Sequence, residues 1–436
     1  MGNPRLRDPL RRPPFRRLAI SFSVNEMGDW VGIIALSVLV YEQTGSAMAT
    51  AALFLGTGFL PALMTPFFVA RMEGPPPRLV LPTIYAAEAA AFCALALLAQ
   101  HFSLAAIVVV AALDGALALT AKTLTRAVTA AMLEPEGELR AGNAVLNIAF
   151  TGGAAVGPAL AGAVVAALGV QSALLLDAVS FFLIACIVLS AKQLPQAEVE
   201  PEAPLRERVR AGLDYVRDNA TLRRLVAAEA GVFIFFSLVI PIEVIYAQQE
   251  LGLSAAGYGL MIDAWGVGMV LGSVVFARLR RASLPALLFF STVAIGAAYF
   301  GLAASQTLLA ACAASVLGGA GNGVQWVSAV SAVQELTAPA MQARVLGTLE
   351  SSVSASPGVG FVLGGLIVSQ WNTRVAFLIA GLGVMAIVIA AAFALGRNWP
   401  LEQGKERPGT VDAADEIMVE LIPAEGLVQS RSEVVK

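Results

Sequence analysis

The sequence predicts an all-α membrane protein whose twelve transmembrane helices form two six-helix bundles, related by a pseudo-twofold axis along the membrane normal. Three observations predict this fold: the apolar composition, twelve apolar windows of membrane-spanning length, and an internal repeat of about half the chain. Hydrophobic residues make up 58% of the 436 residues and charged residues only 14%, whereas soluble domains carry about 25% charged residues. The mean hydropathy of +0.76 points the same way.

Each window has the length of about 20 residues that a helix needs to cross a hydrocarbon core about 30 Å thick. The windows are too long and too uniformly apolar for the strands of an outer-membrane barrel, in which polar and apolar residues alternate. The predicted helices cover residues 18–41, 47–70, 79–100, 103–130, 142–169, 171–190, 225–247, 256–277, 283–304, 307–334, 345–369 and 375–396.

Arginine and lysine concentrate in alternate loops, which predicts the orientation because short basic loops stay in the cytoplasm. The leader before the first helix carries six arginines, and the loops after the even-numbered helices carry the rest of the loop arginines except Arg374. We therefore expect both termini in the cytoplasm and the chain in the cytoplasmic (inner) membrane. The first apolar window is too long for a cleavable signal peptide, so it is predicted to be the first transmembrane helix.

The repeat appears as matched residues at a constant spacing, which is typical of two parallel halves. The pairs Arg16 and Arg223, Gly45 and Gly252, and Ala70 and Ala277 are each 207 positions apart, and Pro135 and Arg140 recur 204 positions later as Pro339 and Arg344. The predicted units are a basic leader (1–17), an N-terminal bundle (18–190), a central loop (191–223), a C-terminal bundle (224–396) and an acidic tail (397–436).

The central loop contains apolar residues at helical spacing, among them Leu205, Val209 and Val216, with arginines elsewhere around the helix. This pattern predicts either an amphipathic helix on the inner leaflet or a plain structural linker. The tail carries six carboxylates after residue 410 and is predicted to be disordered or loosely docked.

The twelve-helix layout and the fifth-helix run GGAAVGPALAG (152–162) resemble the major facilitator superfamily, and more narrowly its drug and siderophore exporters, the macrolide-efflux and enterobactin-exporter branch. Gly153, Gly157, Pro158 and Gly162 match the exporters' fifth-helix pattern, in which the stretch is thought to seal the cavity. The resemblance covers about residues 15–397 and implies a monomeric transporter whose helices 1, 4, 7 and 10 line a central cavity.

The loop between helices 2 and 3 departs from the family's acidic and basic signature. Arg71 is retained, but Ala70 stands in the place of the acid, and prolines replace the following basic run. The acid of the charge pair that is thought to latch the inner gate in relatives is therefore missing at this position, while Arg71 stays a gating candidate.

Acidic residues inside the predicted first and fourth helices are the main candidates for chemistry. Glu26 and Asp29 share one helix face with Ser23, and a centrally placed acid costs about 2.5–3.5 kcal/mol to insert, so they are expected to face water or to be protonated. We predict that Glu26, Asp29 and Asp114 carry protons, with a helix-packing contact as the alternative. Asp114 could also pair with Lys122 or Arg126, which are expected near the inner end.

Polar and aromatic residues on the cavity-lining helices are candidates for substrate binding, although packing is an alternative for each. The predicted substrate contacts are Trp30, Asn147, Phe233, Asn322, Gln325 and Trp326, and the predicted gating or packing residues are Gly153, Gly157, Pro158, Gly162, Arg71 and Arg126. Asp263 and Glu350 are second-rank candidates, and Glu88 and Asp177 are expected to be structural.

These features predict a secondary active transporter, with proton-coupled efflux of a small amphipathic or hydrophobic molecule by alternating access. Uptake, or translocation of a lipid between leaflets, is the alternative within transport; a receptor or scaffold is a remote one. The single histidine and the absence of catalytic motifs argue against an enzyme. We expect no cofactor, no metal and no nucleic-acid partner; the partners are substrate, protons and lipid.

Overall fold

The computed structural model describes residues 7–72, 75–133, 135–191, 194–195, 205–279, 282–338 and 341–395. Within these residues, twelve helices are long and apolar enough to cross a membrane, which confirms the predicted number of spans. They are α1 (Pro13–Thr44), α2 (Ala47–Thr65), α3 (Pro77–Gln100), α4 (Leu104–Leu133), α5 (Ala141–Leu168), α6 (Val170–Leu189), α7 (Ala220–Glu250), α8 (Ala255–Phe276), α9 (Leu284–Ala304), α10 (Leu308–Leu336), α11 (Arg344–Gln370) and α12 (Thr373–Ala394).

Several spans are longer than their apolar windows. The first helix begins at Pro13, five residues before the window at 18, because proline at the first helical position lacks only an N–H that has no intrahelical partner there. The same helix ends at Gly45, whose φ of 59° is the left-handed conformation that favours glycine. Its repeat partner Gly252 has a φ of 64°, so this pair of the predicted repeat also shares its backbone conformation.

Helices α2 and α7 contain irregular turns. In α2 a π-helical turn spans Leu55–Phe59, and in α7 a 3₁₀ turn at Ile240–Ile242 precedes a π turn at Tyr246–Glu250. Such turns interrupt the regular backbone ladder and occur frequently at functional sites. Pro241 in the 3₁₀ turn is a sequence signal for an interrupted helix, whereas the two π turns carry no comparable signal.

The two six-helix bundles contact each other through α5 with α8 and through α2 with α11. Near the end of α5, a Cβ added at Gly162 would clash with the carbonyl oxygen of Ala255, and at Gly365 on α11 it would lie 2.7 Å from Sδ of Met48. We call the side of the molecule on which α1 begins the basic side and the side on which α1 ends the opposite side. The contacts of Gly162 and Gly365 lie on the opposite side. In the basic-side halves of α5 and α11, a Cβ at Gly152 or Gly347 would meet no atom within 4 Å. The close approaches at Gly162 and Gly365 thus pack the bundles together on the opposite side, whereas Gly152 and Gly347 on the basic side have no neighbour that a side chain would meet.

Contacts on the basic side hold each bundle together. The Arg12 guanidinium donates to Glu138 at 2.9 Å and to Glu136 at 2.9 Å, which ties the start of α1 to the loop after α4. The hydrogen bond to Glu138, and after it the one to Glu136, raises the pKa of Arg12, so this side chain stays charged.

The central loop forms a helix at Leu205–Asp218, which we call the linker helix. It packs on the start of α11, because a Cβ at Gly212 would lie 2.6 Å from the carbonyl oxygen of Arg344. The hydroxyl of Tyr215 also accepts a hydrogen bond from the backbone N–H of Ala338 at 3.2 Å. The helix predicted there is confirmed, while attraction of its arginines to lipid stays a prediction.

The opposite side contains the one arginine that does not fit the loop rule. Arg374 donates to Glu250 at 2.9 Å and to the carbonyl oxygens of Ala303 and Ser305 at 2.7 and 2.8 Å. The side chain therefore ties together the ends of α7 and α9 and the start of α12, which gives it a structural reason to lie there. The acidic tail, the Pro339 repeat position and the side chains of Ala70, Arg140 and Ala277 lie outside what the structure describes.

Candidate functional site: a buried charge cluster beside the central cavity

Glu26 and Asp29 on α1 share one ammonium group. Nζ of Lys122 on α4 lies 2.9 Å from Oε1 of Glu26 and 2.8 Å from Oδ2 of Asp29. The exposed fractions of these side chains are 22% for Lys122, 4% for Glu26 and 29% for Asp29. We call these three residues the charge triad. The prediction that the two acids share one face is confirmed by their common partner.

Lys122 reaches the acids because it lies at the same depth. Counting 1.5 Å per residue, Glu26 lies about 20 Å from the start of α1 and Lys122 about 17 Å from the end of α4, both measured from the basic side. The expectation that Lys122 lies near the inner end was wrong, because α4 runs on to Leu133 and leaves Lys122 three turns inside. Arg126, one turn nearer the basic side, is exposed.

The charge triad lines a cavity of about 450 Å³ in the N-terminal bundle, whose wall includes one residue of the C-terminal bundle, Ile240 on α7. Trp30 and Asp114 also line it, as do Thr57 and Gly58 of the π turn in α2. The Lys122 ammonium therefore holds the carboxylates of Glu26 and Asp29 at the cavity wall, which reduces the cost of keeping charge in a low-dielectric region.

Asp114 lies deeper, about 29 Å from the basic-side end of α4. Among the described residues it forms no ion pair with Lys122 or Arg126, and its Oδ1 has no hydrogen-bond partner. Of the alternatives open from the sequence, pairing with a nearby cation is therefore wrong, and a proton or cation site stays a prediction.

Two further acids, on α3 and α6, lie near the charge triad. Glu88 on α3 is fully buried, and neither carboxyl oxygen has a hydrogen-bond partner among the described residues. Asp177 on α6 accepts a hydrogen bond from Ser180 at 3.0 Å, and its carboxylate occupies the space where a Cβ at Gly28 would lie. For Asp177 this contact supports the structural role expected from the sequence.

Two of the fifth-helix glycines pack directly against α1. A Cβ at Gly153 would lie 3.1 Å from Cβ of Glu26, and one at Gly157 would lie 2.5 Å from Cδ1 of Trp30. Small residues let helix backbones approach closely in a membrane. The motif therefore positions one acid of the charge triad and one aromatic wall of the cavity, a link that sequence reasoning missed.

A carboxylate of α8 hydrogen-bonds to the backbone beside the proline of the same motif. Pro158 has no N–H and its ring displaces the carbonyl of Ala154, while the next amide, that of Ala159, donates to Oδ1 of Asp263 at 3.1 Å. Gly266, one turn along α8, faces the Ala154 carbonyl, with a Cβ position 2.6 Å from its oxygen. Asp263 thus satisfies a backbone group at the interface between the bundles.

In the C-terminal bundle, aromatic rings take the place of the charge triad. The 207-residue spacing relates Glu26 and Asp29 to Phe233 and Phe236, and the 204-residue spacing relates Lys122 to Trp326. The ring of Phe233 lies 5.5 Å from that of Phe236 and 6.0 Å from that of Trp326. The repeat-equivalent positions of the two bundles are therefore chemically different, ionic in the first and aromatic in the second.

The remaining predicted substrate contacts differ in exposure. Gln325 is fully buried, and its side-chain amide donates to Glu229 on α7, an acid that the sequence analysis did not single out. Asn322 is 7% exposed, whereas Asn147 is exposed on α5. Glu229 and the partly buried Glu243 were detectable as the two acids of one apolar window, 225–247.

Among the gating candidates, Arg71 is exposed at the basic-side end of the α2 continuation, Leu60–Met72. Nothing in the described structure pairs it with an acid, in keeping with the loss of the acidic residue from its loop. The described residues also contain no group of three or more His, Cys, Asp or Glu side chains that could hold a metal ion.

Comparison with known proteins identifies the fold and the family. The sequence profile of the transmembrane secretion effector family matches residues 7–426, and no curated protein matches the chain. Among solved structures, a point mutant of the nucleoside transporter NupG is similar with a TM-score of 0.73 at 14% identity, over 87% of this chain and 99% of that one.

Two structures described as inward-facing are also similar. A bacterial homologue of the iron transporter ferroportin has a TM-score of 0.67 at 16% identity, covering 87% of this chain and 98% of its own. A bacterial homologue of the human lysosomal transporter Spinster has a TM-score of 0.62 at 12% identity, covering 88% and 96%. At these identities the similarity shows the fold alone.

Proposed function

Because the chain belongs to the transmembrane secretion effector family of the major facilitator superfamily, we propose that it exports a small amphipathic or hydrophobic molecule in exchange for protons. The observation that carries the proposal is the charge triad at the wall of a cavity that the N-terminal bundle forms together with Ile240 of α7. A drug, a siderophore or a secondary metabolite would fit this description, and the chain would act as a monomer in the inner membrane.

Alternating access supplies the transport step. The packing of Gly162 against α8 and of Gly365 against α2 closes the cavity on the opposite side, and the arginine-rich loops assign the basic side to the cytoplasm. In this conformation the cavity would receive its cargo from the cytoplasm or inner leaflet. Rocking of the bundles would then break the α5–α8 and α2–α11 contacts and open the other side.

Coupling of cargo export to proton uptake would come from the Lys122 ammonium that Glu26 and Asp29 share. With Glu26, Asp29 and Lys122 all charged, the charge triad carries a net charge of −1, so the uptake of one proton makes it neutral. A cationic or hydrogen-bonding cargo and a proton would compete for the same carboxylates, and each would favour release of the other. Asp114, deeper in the same cavity wall, would be the second proton site.

Substrate contacts would come from both halves. Trp30 lines the cavity, and Phe233 and Trp326 form the aromatic cluster of the C-terminal bundle. The wall of the cavity itself combines the charge triad with Trp30, Phe54 and Phe150, and such a mixed wall suits a molecule with a polar group and an apolar body. Asn322, Gln325 and Asn147 would supply hydrogen bonds when the bundles move.

The test compares transport in everted membrane vesicles. A panel of lipophilic antibiotics first identifies a cargo by comparing a deletion strain with a complemented one. That cargo should then accumulate in everted vesicles from cells expressing the protein, and a protonophore should abolish the accumulation. Asp29→Asn should lose proton-driven accumulation at unchanged expression, whereas the exposed Asp218→Asn on the linker helix should not. Normal accumulation by Asp29→Asn would refute the coupling role.

The same vesicles separate the alternatives. Cargo that leaves everted vesicles would indicate uptake, and movement of a labelled lipid between leaflets without a soluble cargo would indicate a lipid flippase. The similar structures include a nucleoside transporter and a ferroportin homologue by name, so cargo chemistry is tested rather than assumed. Flux retained after deletion of residues 405–436 would leave the receptor or scaffold alternative without support.

A further inference from the structure

A second cavity lies within the C-terminal bundle, away from the charge triad. It has a volume of about 260 Å³ and lies between the basic-side halves of α7, α9 and α12. We call it the lateral cleft. Its walls are almost entirely apolar, including Val232, Phe289, Ile387 and Ala391.

One charged group faces this apolar cleft. Glu229 lines it and is only 4% exposed. Oε2 of Glu229 accepts a hydrogen bond from the side-chain amide of Gln325, but Oε1 has no partner among the described residues. The only other polar side chain in the wall, Thr292, is already engaged, because its hydroxyl donates to the carbonyl oxygen of Leu288 at 2.7 Å.

The cleft reaches the outer surface of the bundle. Ala392 in its wall is exposed, and next to the cleft Phe393 on α12 and Phe290 on α9 are 79% and 69% exposed. Large apolar side chains on the outside of a membrane-spanning bundle contact lipid. The mouth of the cleft therefore opens to the bilayer on the basic side, separately from the central cavity.

We propose that the lateral cleft binds a single-chain amphiphile with a protonated amine, whose ammonium group pairs with Oε1 of Glu229. A buried carboxylate whose second oxygen lacks a hydrogen-bond partner is costly, and an ammonium satisfies both its charge and this free acceptor. The apolar walls receive the hydrocarbon chain. The volume corresponds to about nine water-sized volumes of ~30 Å³ each, which suits one short chain rather than a two-chain lipid.

This site does not depend on the proposed transport mechanism, because its test measures binding and not flux. The full-length protein is placed in nanodiscs of phosphatidylcholine and phosphatidylglycerol, and the probe is decylamine with a diazirine near the end of its chain. After photolysis, labelled peptides are mapped by mass spectrometry. Unlabelled decylamine, decanol and decanoate are the competitors.

The expected labels lie on α9 and α12 at the cleft, around residues 285–292 and 387–392. Since a charge-assisted hydrogen bond is roughly twice as strong as a neutral one, decylamine should compete roughly tenfold or more better than decanol, and decanoate should not compete. Glu229→Gln should lower labelling by a similar factor. Ala391→Trp should block the cleft without touching the carboxylate, which keeps the test valid if Glu229→Gln misfolds.

The exposed Glu335→Gln on α10 is the matched control and should label like the wild type. Labelling that survives both Glu229→Gln and Ala391→Trp, or competition by decanoate equal to that by decylamine, would overturn the inference. Loss of labelling when phosphatidylethanolamine is added to the nanodiscs would also overturn it, because the occupant would then be the lipid headgroup.

Discussion

Replacing Lys122 with methionine should destabilise the protein more than replacing either acid. Lys122 lies 2.9 Å from Glu26 and 2.8 Å from Asp29, which corresponds to about 6 kcal/mol of Coulomb attraction for each pair at an effective dielectric constant of 20. Desolvation offsets most of this attraction, and breaking a buried pair costs about 3–5 kcal/mol. Because Lys122 and Asp29 keep 22% and 29% of their side chains exposed, we expect the lower end, about 3 kcal/mol.

The assay is the free energy of unfolding in mixed micelles, measured by titration with SDS. The triple variant Lys122→Met, Glu26→Gln, Asp29→Asn removes all three charges and should recover most of the loss, because a buried ion pair replaced as a whole is often neutral. Equal stability of the wild type and Lys122→Met, or a triple variant less stable than Lys122→Met, would refute the account of the charge triad.

Two further predictions concern the fifth helix. Gly157→Leu should abolish flux and lower the free energy of unfolding by about 1–3 kcal/mol, because the new side chain overpacks against Trp30. Gly152→Leu is the control and should fold and transport normally, since a Cβ there meets no atom within 4 Å. Equal flux in both variants would contradict the packing of the fifth-helix glycines against α1. Asp263→Ala should cost about 1–3 kcal/mol because the amide of Ala159 loses its acceptor, while Asp263→Asn keeps an acceptor oxygen and should be near wild type in SDS titration. Equal losses in the two Asp263 variants would assign the effect to charge and not to the hydrogen bond.

The twelve helices could be predicted from sequence because span length and apolar composition are local properties. Even so, the window starting at 18 missed the helix start at Pro13, since polar residues at a helix end lie outside the hydrocarbon and leave no hydropathy signal. The π turn at Leu55–Phe59 was missed for a related reason: its glycines and apolar residues read like any other part of the window.

The acids of the charge triad were found because acidic residues are rare in an apolar window and both lie in the same one, 18–41, but their partner was not. Lys122 and Arg126 lie four residues apart, and both were expected near a helix end. The predicted windows 18–41 and 103–130 already put Glu26 and Lys122 at the same depth, but only the structure shows that this face of α4 meets α1. Likewise, the link from Gly157 to Trp30 and the bond from Asp263 to Ala159 join helices distant in sequence. A single sequence carries no signal for such pairings.

Accessibility of the cavity to water from the basic side tests the central claim most directly. Thr57 lines the cavity beside the charge triad, so Thr57→Cys is introduced after replacement of Cys93, Cys186 and Cys312 with alanine. A membrane-impermeant, positively charged thiol reagent should label this cysteine in everted vesicles, and faster than in right-side-out vesicles. Labelling only by membrane-permeant reagents would mean that no water-accessible cavity surrounds the acids, and would contradict the transport mechanism.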